Sequence, residues 1–159
     1  MRMLAVVLGT LVLASCGGGG APDRDDDPFA FTRWYVQEAI DRYEREGAEA
    51  TFRHYTFTEP YDGDWWMFIM DLTTGETLAA PDGIAYGVGH VTPWEAVDPV
   101  GVPAGRLMFT TTERGRGIVL WTRHPHTGEH ATKHVWMIRH DGLLFYSGWY
   151  ETDARPLMR

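Results

Sequence analysis

The segment RHPHTGEHATKHVW (123–136) gathers the side chains best suited to chemistry. Four histidines, His124, His126, His130 and His134, fall within eleven residues, and Lys133, the only lysine of the chain, lies among them. Imidazoles in such density raise the question of a metal. A structural zinc site takes four converging ligands, often thiolates, held by a second shell. No cysteine is near. His130 and His134 are four apart, which would suit one helix face, but ATKHVWMI is rich in β-branched and aromatic residues and reads as strand. On a strand, residues four apart share a side but stand about 13 Å apart, too far to share an ion. Pro125 and Thr127-Gly128 are turn chemistry. His124, His126 and His130 are therefore expected at a loop tip, open to water, with His134 inside a strand. No metal and no cofactor is expected.

Three flanking elements must hold this segment. GIVLWTR, TKHVWMIRH and LLFYSGWYE are β-rich runs separated by HPHTGEHA and by Asp141-Gly142. An Asp-Gly pair between apolar runs is a strong two-residue hairpin signal. They read as a three-stranded meander. Upstream, TRWYVQEAIDRYEREG reads as a helix, with Thr32 as its cap and Val36, Ile40 and Tyr43 as its buried stripe. Glu38 and Arg42 form an i, i+4 pair, and Gly47 is the stop. A short second helix, AEATFRHY, follows. Asp62-Gly63 signals a turn, Trp65 to Leu72 a strand, Thr73 to Glu76 a second turn and TLAA a returning strand. Pro81 to Pro103 is irregular, with one short helix near Pro93 to Val97. RLMFTTTE is read as helix. The sum is an α+β domain, an N-terminal helix packed on one antiparallel sheet of about five strands.

The chain has 159 residues and a formal charge of −8, with aromatic residues at 13%. That length fits one domain, and the acidity argues against nucleic acid, which needs a basic footprint. Cys16 is the only cysteine, so no internal disulfide forms. MRMLAVVLGTLVLAS has a positive start and a short apolar run, the layout of a signal peptide. LASC, ending at Cys16, resembles the bacterial lipobox. That resemblance implies cleavage after residue 15 and acylation of Cys16, hence a membrane-anchored, extracytoplasmic lipoprotein. Residues 16–28, with four glycines and Asp23, Asp25, Asp26 and Asp27, read as a solvated tether. The cluster lacks the spaced ligands of an EF-hand loop. The folded domain spans 29–159.

The order and spacing of YVQEAIDRYEREGAEATFRHY, DGDWWMFIMDLTTGETLAAP, GIVLWTRHPHTGEHATKHVW and DGLLFYSGWYE resemble the single Cache domain, a PAS-like extracytoplasmic sensor fold. Gly117, Val119, Trp121, Pro125, Lys133 and Trp136 fall on its pattern. Ile118 and His124 depart from it, standing where Trp and Asn are common, and the second puts any Asn-dependent ligand contact in doubt. The resemblance implies a small-molecule pocket on one face of the sheet, closed by the irregular crossover, with a small carboxylate, amino acid or other metabolite as ligand.

A buried carboxylate needs a cation and donors. Lys133 is either that anchor or an edge lysine with its head in water. Trp121, Trp136, Trp66 and Tyr146 are candidate walls or core residues. Arg53, His54 and Tyr55 either reach the pocket mouth or face solvent. Lys133 and Trp136 are three apart, so a regular strand sends them to opposite faces, and both serve one pocket only across a bulge. With no signalling domain of its own, such a module would report to a partner protein. The competing reading is a structural or protein-interaction lipoprotein that uses the fold without a ligand. No nucleophile elbow, zinc-protease helix or phosphate loop is present, so an enzyme is not expected.

Overall fold

A computed structural model of the chain describes residues 20–61, 64–84 and 86–151. The expected signal peptide, Cys16, the first part of the tether and the Asp62-Gly63 turn lie outside the described residues.

Helix α1 (Pro28–Glu46) starts one turn earlier than the sequence suggests. Asp27, not Thr32, is the cap. Its carboxylate accepts from the Ala30 N–H at 2.9 Å, and Pro28 fills the first helical position, where a missing N–H costs nothing. Asp27 therefore belongs to the fold rather than to the tether. Thr32 is fully buried inside the helix. Its hydroxyl donates to Pro28 O at 2.7 Å and accepts from Trp65 Nε1 at 2.6 Å. Val36 and Ile40 are buried as their spacing requires. Arg42 pairs one turn onward with Glu46, at 2.6 Å, rather than back to Glu38. The helix ends at Gly47, whose φ of 82° a side chain would resist. Helix α2 (Ala48–Arg53) follows and runs into a π-helical turn at His54–Thr58.

The sheet has five antiparallel strands: β1 (Phe68–Asp71), β2 (Thr77–Ala79), β3 (Arg116–Arg123), β4 (His130–His140) and β5 (Leu143–Tyr150). Their spatial order is β2-β1-β5-β4-β3. The β4–β5 turn is the expected Asp141-Gly142 pair. Both residues have positive φ, 48° and 76°, the geometry of a two-residue hairpin whose twist matches its strands. The expected helix near Pro93 to Val97 is only a turn, closed by Ala96 N–H to Pro93 O at 3.0 Å. The expected helix at RLMFTTTE is α3 (Ala104–Phe109), displaced toward the N-terminus. It ends where the threonines begin. Thr110 and Thr111 turn their hydroxyls back onto Arg106 O and Leu107 O, which competes with continued helix.

Alternation along the strands sorts the core onto two faces. Met67, Ile69 and Phe145 lie under α1 with Val36, Ala39 and Ile40. Trp66, Phe68, Met70, Val135, Met137, Leu144 and Tyr146 face the other way, with Met108 of α3. Both faces are apolar, which is why Trp65 to Leu72 reads as a nearly unbroken apolar run. Among the described residues no helix is long and apolar enough to cross a membrane.

Candidate functional site

The face opposite α1 carries the crossover between β2 and β3. Its backbone is tied to the β1–β2 hairpin by Thr77 N–H to His90 O (2.8 Å) and Thr92 N–H to Gly75 O (2.9 Å). Asp98 ties it to the far edge. Its carboxylate accepts from Val102 N–H at 2.7 Å, Val100 N–H at 3.0 Å and, across the gap, the edge-strand Trp121 N–H at 2.8 Å. Gly105 of α3 packs so closely that a Cβ there would lie 2.3 Å from Pro93 O. The crossover is thus tied to the β1–β2 hairpin on one side and to β3 on the other. Beneath it, against the sheet, is a cavity of about 610 Å³.

Lys133 lies on the sheet side of this cavity. It pairs in register with Leu120 of β3 and Tyr150 of β5, so all three side chains share the cavity face. Only 7% of Lys133 is exposed. Its Nζ stands 4.8 Å from the ring centre of Trp66, 4.9 Å from Tyr150 and 5.3 Å from Phe68. Three ring faces around an ammonium form an aromatic cage, and each favours the charged form. Among the described residues no carboxylate pairs with Lys133. Burial brings its pKa down to about 7, because a desolvated ammonium without a counter-ion is costly.

The other ionisable groups bordering the cavity come from every surrounding element. They are Tyr146 and Tyr150 of β5, Arg123 and His124 at the end of β3, and Tyr86, His90 and Asp98 of the crossover. Burial raises the pKa of both β5 tyrosines, which stay neutral hydroxyls. Asp98 is engaged by three backbone N–H groups. His124 has its pKa lowered, chiefly by burial; Asp64 opposes this, and His126 and Lys133 add to it.

Two of the residues singled out in the sequence, Trp66 and Tyr146, border the cavity together with Lys133. Trp121 also borders it, and its ring stacks on His130 at 6.1 Å. Trp136 lies across the sheet. It pairs with Gly117 and Ser147, packs edge-on against Phe29 of α1, and carries the Arg33 guanidinium over its ring at 4.9 Å. No bulge interrupts β4 between Lys133 and Trp136, so strand parity keeps them apart. Tyr55 is buried against Tyr35 under α1, where burial pushes its hydroxyl up to about 12 in spite of the nearby Arg42. Neither Trp136 nor Tyr55 borders the cavity. His54 turns to Glu59 at 3.0 Å and Arg53 to Glu49 at 2.6 Å.

In the histidine segment His126 and His130 are exposed and His134 lies within β4, as expected, while His124 departs from expectation. His124 is half-buried at the cavity wall, its ring 4.5 Å from Tyr150 and 5.8 Å from Trp66. His126 is exposed but leans on Tyr61 and Trp66. His134 bonds to Glu151 and stacks on Trp149. These ring contacts hold the start of the β3–β4 loop against Trp66 and Tyr150. Among the described residues no three His, Cys, Asp or Glu side chains converge where an ion would sit. Sequence reasoning missed Phe68, Leu120 and His124. Period-two counting from Trp66 and pairing from Lys133 would have found the first two.

A second hollow, about 540 Å³, lies between α2, β2 and the crossover. Its arginine, Arg53, is exposed and already paired with Glu49.

No protein-family model and no curated protein matches this sequence. Solved structures do match its fold. A methyl-accepting chemotaxis protein from Vibrio parahaemolyticus superposes with a TM-score of 0.60 at 13% identity, over 79% of this chain and 90% of that one. A Cache chemosensory domain, described for its recognition of carboxylic acids, gives 0.54 at 13% identity over 77% and 91%. A periplasmic sensor domain of a chemotaxis protein gives 0.51 at 17% identity over 76% and 88%. The chain has the single Cache, PAS-like fold.

Proposed function

We propose that this chain is a lipid-anchored, extracytoplasmic binding protein of the sensor type. Its cavity takes a small carboxylate or amino-acid-like metabolite, and Lys133 is its anchor. The observation that carries this reading is a buried lysine on a cavity wall, with rings around it and no counter-ion among the described residues. A ligand carboxylate supplies the missing charge, and Trp66, Phe68 and Tyr146 meet its apolar body. The match to sensor domains, one of them described for carboxylic acids, supports it. The LASC sequence ending at Cys16 supports the anchor and the location outside the cytoplasm. Signalling would pass through a partner protein. Binding, rather than catalysis, is the chemistry these residues fit.

A ligand-free interaction lipoprotein is the second reading. Exposed apolar residues on the crossover, among them Val88, Val91, Trp94 and Val97, favour it.

The test is a thermal-melt panel of small carboxylates, amino acids and their neutral amides. A ligand that binds only the folded state raises the melting point with its concentration. The proposal expects carboxylates to do so, amides not, and the effect to vanish in Lys133→Met. Stabilisation by amides as strong as by acids would sink the anchor role. A flat response to the whole panel would favour the interaction reading.

A further inference from the structure

The environment of Lys133 suits a second chemistry, which uses the same cavity but not the ligand carboxylate. An ammonium is inert toward carbonyl carbon; a free amine is a nucleophile, and desolvation in an apolar pocket is a recognised way to make one. Lys133 sits at 7% exposure among three rings, borders a cavity of about 610 Å³, and among the described residues has neither a hydrogen-bond partner nor an ion pair. A lysine kept only for charge or solubility would hold its head in water. One largely withdrawn from bulk water, with its head at an open volume, has room for a small molecule at Nζ.

We propose that Lys133 captures small aldehydes or ketones as a reversible imine. Its neutral Nζ attacks the carbonyl carbon, and the amine proton passes to the carbonyl oxygen, giving a carbinolamine. The second amine proton then passes to the hydroxyl, which leaves as water while the nitrogen lone pair forms the C=N bond. The imidazole of His124, on the same cavity wall, is a proton carrier at hand. No oxidant or reductant is consumed, and hydrolysis by one water returns both partners. The rings that cage the ammonium then flank the imine and slow the return of water. Burial lowers the pKa of this amine, so at neutral pH more of it is free base than of an exposed lysine.

The sequence makes the test clean. Lys133 is the only lysine, so an unmodified chain offers one other amine, its N-terminus, as an internal reference. The full chain is incubated at pH 7.5 with propanal and cyanoborohydride, which reduces the imine to a stable secondary amine, and the adduct is located by peptide mass spectrometry. The same reaction is run in urea. Burial alone makes a lysine react more slowly when folded. The proposal expects the reverse, with Lys133 labelled about tenfold or more faster in the folded chain than in urea and the N-terminus little changed. Labelling at Lys133 that is slower in the folded chain would overturn it. A parallel melt with propionate separates this idea from the carboxylate reading. Rapid labelling without propionate stabilisation keeps the imine and removes the carboxylate anchor. Propionate stabilisation with slow labelling removes the imine and keeps the anchor.

Discussion

The two faces of the sheet use the same strands for opposite purposes. Under α1 the packing is closed. Phe145, Ile69, Met67 and Val36 pack with Tyr35 and Tyr55, and no lysine, arginine, histidine or carboxylate belongs to that buried cluster. On the other face the crossover stands off from the sheet, and the residue that would be the next apolar plug in β4, after Met137 and Val135, is Lys133. The difference shows how one sheet supplies both a foundation and a site. The first face is filled, and the second leaves volume beside a buried lysine that has no carboxylate partner among the described residues.

Breaking the foundation should have the largest effect. Phe145→Ala opens a cavity at the centre of the helix-covered face and is expected to cost about 3–5 kcal/mol in urea unfolding, whatever ligand is present. Lys133→Met on the other face should do the opposite. Its folded pKa, about 7, lies below the unfolded value near 10.5. Between those values the unfolded chain binds more protons, so wild-type stability rises with pH from about 7 to 10.5 and carries its full burial penalty below 7. Lys133→Met should therefore be more stable than wild type at pH 6, by on the order of a few kcal/mol. The gap should shrink by pH 10, as followed by melts across that range.

Asp98→Ala should sharpen the contrast from the crossover side. It removes the acceptor of three backbone N–H groups and is expected to cost about 1–3 kcal/mol. Hydrogen exchange should accelerate at Val100, Val102 and Trp121 while the amides of Ile69 and Phe145 stay protected. The smallest effect should come from Asp27→Ala, about 1 kcal/mol through the lost helix cap, with affinity at Lys133 unchanged in a binding titration.

Legibility in the sequence follows the same division. The β3–β4–β5 meander was readable because Asp141-Gly142 permits one tight turn and the flanking runs are long. Helix α1 was readable from Val36 and Ile40. Its start was not, because Asp27-Pro28 is a stronger cap than Thr32 and lies within an acidic stretch that looks like tether. The crossover was legible only as irregular, since its shape is set by distant bonds such as Asp98 to Trp121. Within the site, strand parity already separated Lys133 from Trp136. It could not say which face α1 would cover, because both faces are apolar. His124 was hidden for a different reason. A turn sequence declares that the chain reverses, not which way the loop leans, and here it leans onto Trp66 and Tyr150.

On the proposed function, Lys133 awaits an anionic partner. The most direct measurement is a calorimetric titration of a small carboxylate such as propionate at pH 6, 7, 8 and 9. Pairing with a carboxylate raises the lysine pKa in the complex, so binding takes up a proton wherever the free protein has lost it. Affinity should be nearly flat below pH 7 and then weaken by up to about tenfold per pH unit above it, with proton uptake visible as a buffer-dependent heat. Affinity that stays constant from pH 7 to 9, with no proton uptake, would rule out Lys133 as the carboxylate anchor.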